Sequence, residues 1–157
     1  MPRPKRSPCR VVEGPGHSRL ATFNLMCKGV LGRTNTYVPG SGLWGLTGYI
    51  EIAPRRLFLP GLSKPKSVWI VENIGVEPEY RRKGYATALY AAAAKFACKK
   101  RSRLASTRRT SGAYSNDFWA KQARKGRATF YPRPTYLWDA FILNECGPDI
   151  DLSGLGF

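Results

Sequence analysis

The sequence lacks several features that would place a protein in a common functional class. It has one histidine, His17, and four cysteines without a CxxC pair, so the spacing of a zinc site is missing. No run approaches the ~20 apolar residues of a membrane-spanning helix. No apolar segment follows the basic first residues, as it would in a signal peptide. We therefore expect no metal centre, no membrane span and a cytoplasmic location.

The four cysteines, Cys9, Cys27, Cys98 and Cys146, are widely spaced. Free thiols in a reducing cytosol are the simpler interpretation of such isolated residues. The alternative is two disulfides in a secreted protein.

Acidic residues are scarce as well. Ten Asp and Glu stand against 26 Lys and Arg, which gives a formal net charge of +16. Such an imbalance predicts attraction to polyanions such as RNA or a phosphorylated cofactor. Between residues 95 and 133 twelve bases are interleaved with aromatic residues, and Asp117 is the single acid. Bases and aromatics together suit RNA, through phosphate contact and stacking. The alternative is a solvated basic face.

Enough hydrophobic residues are present for a folded core, at 43% of the 157 residues. The length predicts a single domain over residues 1–157. Residues 1–8 look like a basic flexible arm, and residues 144–157 form an acidic, glycine-rich tail.

The alternation of apolar and polar residues, together with the positions of turn-forming residues, predicts an α+β fold. We expect strands over 9–12, 19–28, 47–53, 68–76, 104–107, 128–131 and 136–143. A helix begins at Ala86, and a second one, capped by Ser115 and Asn116, covers 117–125. Residues 29–46 and 54–66 are rich in glycine and proline and are predicted to be mostly loop, and Pro132 and Pro134 are predicted to mark a turn.

Residues 76–86 connect the most convincing strand to the first helix. A glycine-containing basic turn before a helix presents free backbone N–H groups, and the helix N-terminus adds a partial positive charge. Gly84 lets the backbone approach a ligand closely, since it has no Cβ. This stretch is therefore a candidate site for a phosphorylated ligand.

The same stretch closely resembles the acetyl-CoA motif of the GCN5-related N-acetyltransferases, the GNAT superfamily. Their pattern is an apolar strand ending in V-x-P-x-[YF], then [RQ]-x-x-G-x-[GA], then a helix. The matching residues here are Val76, Pro78 and Tyr80, followed by Arg81, Gly84 and Ala86.

The resemblance implies a GNAT-like fold: a mixed, mostly antiparallel sheet splayed at its central strand, with flanking helices. It implies that acetyl-CoA binds with its pantetheine arm along the splayed strand and its pyrophosphate at the turn. The implied cofactor-binding residues are Ile74, Gly75 and Val76 on the strand, Arg81, Arg82, Lys83, Gly84, Tyr85 and Ala86 at the turn, and Asn116 on the second helix.

The resemblance also suggests catalytic residues. Many members of the family place a glutamate on this strand as general base, and Glu72 is the candidate here, on the expectation that it shares a strand face with Ile70, Ile74 and Val76. The alternative is a salt-bridged or edge-facing glutamate. The family's tyrosine acid on the second helix falls on Trp119, which cannot donate a proton in this way.

Tyr114 is a weaker candidate for the acid, and water and Tyr131 are alternatives. Two helices that family members usually carry after the first strand are not evident, so the N-terminal region is reduced and the acceptor stays open. We therefore expect an acetyl-CoA-dependent N-acetyltransferase acting on a primary amine, with a protein- or tRNA-linked acceptor as one alternative. The competing hypothesis is a catalytically weak module that binds nucleic acid or a protein partner through its basic surface.

Overall fold

The computed structural model describes residues 9–16, 19–29, 35–38, 42–59, 61, 63–80, 84–107, 113–135 and 138–146. The predicted arm and most of the predicted tail lie outside these ranges. The strands are β1 (Cys9–Glu13), β2 (Ala21–Lys28), β3 (Asn35–Val38), β4 (Gly42–Leu57), β5 (Lys66–Val76), β6 (Arg103–Thr107), β7 (Ala128–Thr135) and β8 (Trp138–Leu143). The helices are α1 (Tyr85–Lys99) and α2 (Ala113–Arg124), and a 3-10 turn covers Pro78–Tyr80.

The strands form one sheet in the order β1-β2-β4-β5-β6-β8-β7, with β3 paired to β4. All neighbours are antiparallel except β5 and β6, which α1 connects as a parallel crossover. The predicted α+β fold with a mixed, mostly antiparallel sheet is confirmed.

The pairing of β5 with its two neighbours, β4 and β6, differs in length. Its parallel pairing with β6 covers Val68 to Ile70 and goes no further, whereas its pairing with β4 continues to Val76. The sheet is therefore splayed beyond Ile70, as the resemblance implied. The β4–β5 register also shifts, because Ile52 faces Val71 while Glu51 faces Asn73. Glu72 is the extra residue of a β-bulge on β5.

Two hydrophobic clusters cover opposite faces of the sheet. The larger contains the buried stripe of α1 together with Phe118 and Trp119 of α2, so both described α-helices pack on the same face. Val68 and Ile70 belong to a smaller cluster with Leu57 on the other face. The face opposite α1 is therefore where β4 and β5 remain accessible near the splay.

Several predicted boundaries are wrong. Residues 35–38 and 42–46 are strand rather than loop, and β4 continues through Pro54 to Leu57. Ser115 and Asn116 lie within α2 instead of capping it, since α2 begins at Ala113. Pro132 and Pro134 lie within β7.

The prediction of free thiols is also wrong, because the structure pairs all four cysteines as Cys9–Cys27 and Cys98–Cys146. Cys9 and Cys27 are direct cross-strand partners in the β1–β2 register. Cys98 lies in the last turn of α1, and Cys146 follows the end of β8. The cytoplasmic location stays a prediction.

No helix in the described ranges is long and apolar enough to cross a membrane. Over the same residues, no three His, Cys, Asp or Glu side chains come together as a metal site.

Candidate active site

The N-terminus of α1 lies at the glycine of the predicted phosphate turn. Gly84 is the residue before the first helical turn, with φ 82° and ψ 5°, and its carbonyl accepts the Ala88 N–H at 3.1 Å. This left-handed conformation is one that residues with a Cβ adopt at a cost. Among the described residues no side chain caps this helix, and the N–H groups of its first turn give its N-terminus a partial positive charge that suits an anionic ligand.

The residues on both sides of the turn include two tyrosines. Tyr80 ends the 3-10 turn, and its ring lies 6.1 Å from that of Tyr85, measured between centroids. Tyr85 is buried in the larger cluster. This burial, and then the nearby Tyr80 phenol, raise the pKa of Tyr85 above its ordinary value. The predicted ligands Arg81, Arg82 and Lys83 lie outside the described residues.

Ile74, Gly75 and Val76 lie on the splayed part of β5, and their role in cofactor binding stays a prediction. On one side these residues face Ile50, Tyr49 and Gly48 of β4, in that order. On the other side the described residues of β6 pair with β5 at Val68 to Ile70 and not with these three. The side chains of Ile74 and Val76 pack against the larger core cluster. The backbone along this edge is therefore positioned to pair with an extended ligand arm.

Glu72 lies on the face of Ile70 but, contrary to the prediction, not on the face of Ile74 and Val76. Because it is the bulge residue, the alternation of side chains is interrupted, and Glu72 does not share the face of Ile74 and Val76. It extends instead toward Arg55, whose Nη2 donates to Glu72 Oε1 at 2.9 Å. The side chains of Arg55 and Glu72 are 51% and 31% exposed. The carboxylate is thus ion-paired and reachable by water, and its role as general base stays a prediction.

The α2 candidates have different outcomes. Tyr114 and Asn116 lie in the first part of α2, and their side chains are outside what the structure describes. Trp119, at the place of the family's tyrosine, is 1% exposed and packs against Phe118 and Phe141. Its Nε1 is buried and has no hydrogen-bond partner in the described part of the chain.

Tyr131 is far from the splay. It packs against the smaller cluster from β7, which β6 and β8 separate from β5.

Sequence reasoning missed two residues that face this region. Arg55 was assigned to a loop but lies in β4 beside Glu72. Tyr49 was recognised as part of an alternating strand, yet not as a neighbour of Gly75, which it opposes in the register. The alternation of Tyr49 and Glu51 with isoleucines was the available signal, but which face meets the splay depends on strand pairing.

Comparison with known proteins agrees with this geometry. The acetyltransferase (GNAT) family matches residues 33–123, which is more than half of the chain. No curated protein matches the sequence.

Solved structures are similar at the level of the fold. A mutant AtaT toxin, bound to the C-terminus of the antitoxin AtaR and acetyl-CoA, has a TM-score of 0.51 at 12% identity, covering 79% of this chain and 67% of its own. Arabidopsis thaliana NAA60 in complex with a bisubstrate analogue has a TM-score of 0.49 at 15% identity. The match covers 81% of this chain and 76% of the NAA60 chain.

AAC(6')-Iy, in complex with the bisubstrate analogue CoA-S-monomethyl-acetylneamine, has a TM-score of 0.45 at 24% identity, and the match covers 70% of this chain. The chain spans 63% of the length of AAC(6')-Iy.

The splayed central strand, the glycine turn and the helix N-terminus agree with the GNAT-like fold that the sequence resemblance implied. The chain belongs to the acetyltransferase (GNAT) family.

Proposed function

We propose that the protein is an acetyl-CoA-dependent N-acetyltransferase that moves the acetyl group directly to a primary amine. The observation that carries this proposal is the continuity of two features. The open edge of β5 at Ile74 to Val76 leads directly into the turn and the N-terminus of α1 at Gly84. An extended arm and a diphosphate at its end fit these two places.

The residues fit the cofactor for physical reasons. Gly84 leaves room for a diphosphate to approach the backbone, and the N–H groups of the first helical turn carry partial positive charge. The edge of β5 offers peptide groups to the amides of a pantetheine arm. Acetyl-CoA supplies the acetyl group as a thioester.

The transfer balances with few protein groups. The amine nitrogen bonds to the acetyl carbon, the carbon–sulfur bond breaks with its electron pair on sulfur, and the amine loses one proton. A backbone N–H near Val76 is proposed to stabilise charge on the carbonyl oxygen. Glu72, reached directly or through water, is proposed to accept the amine proton. The thiolate takes a proton from water or from Tyr114.

The proposed acceptor is an amine carried on a protein or on tRNA. Support comes from the charge of the helical surface. α1 ends at the exposed Lys99, and the exposed Lys100 and Arg101 follow it. On α2, Lys121 and Arg124 are exposed. These cations suit a polyanionic carrier.

The test is an acetyl-transfer screen of the full chain against tRNA, peptides and polyamines. Thiol release that requires both acetyl-CoA and an amine is the expected result. Acetyl-CoA alone should raise the melting temperature without releasing thiol. Absence of a thermal shift with acetyl-CoA, together with no thiol release for any amine, contradicts the proposal.

A second candidate is a module that binds nucleic acid or a protein partner and transfers acetyl groups weakly. The burial of Trp119 at the place of the usual tyrosine acid favours it. Under this alternative, acetyl-CoA still shifts the melting temperature, but no amine releases thiol. RNA affinity would then fall steeply with salt concentration.

A further inference from the structure

Tyr49 is an exposed aromatic residue on the face of the sheet opposite α1. It is 37% exposed, in the middle of β4, where its neighbours Gly48 and Ile50 are buried. Both described α-helices pack on the other face, so the Tyr49 ring is reachable where the sheet splays. The ring therefore presents a flat apolar surface to solvent beside the splay.

The Tyr49 ring lies across Gly75. A Cβ built on Gly75 would come within 3.1 Å of Tyr49 Cε1, 3.5 Å of Cζ and 3.6 Å of the hydroxyl oxygen. A side chain at position 75 would therefore require the ring to shift by a few tenths of an ångström. Gly75 lies between Ile74 and Val76, so the phenol is placed beside the edge where the acetyl group is proposed to sit.

Two carboxylates lie on the same face as Tyr49. Glu51 follows Tyr49 by two residues on β4, so it points to the same side, and its partner in the register is Asn73. Glu72 follows Ile70 by two residues on β5, so it lies on this face too, and it meets Arg55 there. In a chain with a formal charge of +16, carboxylates beside an exposed aromatic form a local environment that favours a cation.

We propose that Tyr49 positions the acceptor, and that the acceptor amine arrives as a primary alkylammonium on this face. Its methylene stem lies on the Tyr49 ring, and the Glu51 carboxylate attracts the charge. The ammonium gives one proton to water before nitrogen attacks the acetyl carbon, and Glu72 takes the second proton, which nitrogen loses as the amide forms. This inference rests on the proposed acetyl transfer and specifies the acceptor side of the same site.

The proposal explains why Gly75 faces Tyr49. Because Gly75 has no side chain, the Tyr49 ring can lie close to the backbone of β5. An alkyl chain that packs on the ring would then direct its nitrogen toward the splayed edge of β5. A polyanionic carrier is compatible with this arrangement, since the exposed bases of α1 and α2 lie on other elements.

The test uses steady-state acetyl transfer by the full chain with cadaverine as acceptor and δ-aminovalerate as its matched counterpart. The second probe has a similar stem but carries a carboxylate at its far end. Tyr49→Ala should raise the KM for cadaverine roughly tenfold, with the affinity for acetyl-CoA unchanged. Tyr49→Phe keeps the ring and should retain most of the wild-type KM. Phe58→Ala removes a 63% exposed aromatic just beyond β4 and is the control for general surface effects.

Two further variants separate positioning from folding. Glu51→Gln should raise the KM for cadaverine and for δ-aminovalerate, because both probes carry the ammonium that the Glu51 carboxylate attracts. Gly75→Ala should raise the KM for cadaverine modestly in the wild-type background but add little to Tyr49→Ala, because both changes act on the same ring. A thermal shift with acetyl-CoA shows that each variant retains the cofactor site.

The outcomes are distinct. An unchanged KM for cadaverine in Tyr49→Ala overturns the inference while leaving acetyl transfer intact. Transfer to other amines but not to cadaverine overturns the alkylammonium assignment. If no amine releases thiol, the proposed function fails, and the inference fails with it.

Discussion

Arg55 holds the carboxylate of Glu72 on the face of the sheet opposite α1, with 2.9 Å between Nη2 and Oε1. Both side chains are well exposed, so the pair contributes little to stability and can exchange with an incoming amine. The bulge at Glu72 turns Ile74 and Val76 to the face of α1, so the carboxylate and these two side chains lie on opposite faces of β5. The ion pair lies on the face from which the acceptor amine is proposed to approach.

Replacing Glu72 with Gln should reduce kcat for acetyl transfer by about 10²–10⁴-fold if this carboxylate accepts the amine proton. The change keeps the size of the side chain, so the thermal shift with acetyl-CoA should persist. Glu13→Gln, at the end of β1, is the matched control and should leave kcat unchanged. A wild-type kcat in Glu72→Gln would remove Glu72 from the role of base.

Gly84 and Gly126 allow the cofactor turn to be tested against a matched glycine. Both have left-handed φ angles, 82° and 74°. Alanine at either position should cost about 1–2 kcal/mol of stability through the same backbone strain. Only Gly84→Ala should also weaken acetyl-CoA binding, because only Gly84 lies at the N-terminus of α1. Calorimetric melting and titration with acetyl-CoA measure the two effects, and equal affinities in both variants would contradict the assigned turn.

The raised pKa of Tyr85 leads us to expect a loss of stability in alkaline solution. Its folded pKa is raised, first by burial and then by Tyr80, so the folded chain holds the phenol proton more tightly than the unfolded chain. This contribution is complete below pH about 10 and is lost as the pH rises through the folded pKa. Chemical denaturation across this range should show a smaller decline for Tyr85→Phe than for wild type. Tyr131→Phe is the control, and an identical decline in Tyr85→Phe and wild type would refute the assignment.

The two disulfides should differ in their contribution to stability. Cys98–Cys146 spans 48 residues and Cys9–Cys27 spans 18. From the loss of loop-closure entropy in the unfolded chain, the longer loop should be stabilised by about 4 kcal/mol and the shorter one by about 3 kcal/mol. The Cys98→Ser, Cys146→Ser double variant should therefore melt lower than the Cys9→Ser, Cys27→Ser variant. Melting temperatures that do not change on reduction of the wild type would show that the bonds contribute nothing.

The cofactor turn was predictable because its signals are local. An apolar strand, a glycine and an alanine-rich stripe lie within about two dozen consecutive residues, and the structure places Gly84 at the start of α1. The extent of β4 was not predictable in this way. Its glycines and Pro54 have low strand propensity, but pairing with β2, β3 and β5 outweighs that preference.

The face of Glu72 could not be read from its neighbours. The sequence from Ile70 to Val76 continues as a uniform run of strand-forming residues, and the bulge exists only in the register with β4. The same holds for the bond between Cys9 and Cys27, which requires the pairing of β1 with β2. Long-range pairing, rather than local preference, decides both.

The bond between Cys98 and Cys146 lies at the closed end of the splay. Cys98 precedes the start of β6, where β5 and β6 are still paired, and Cys146 follows the end of β8, which faces that same part of β6. The bond therefore ties the last turn of α1 to the chain that leaves β8, so α1 and the β6–β8 pair are crosslinked on one side of the splay. β5 takes no part in this crosslink, so its position beside Gly75 depends on its hydrogen-bonded pairing with β4 and with the first residues of β6.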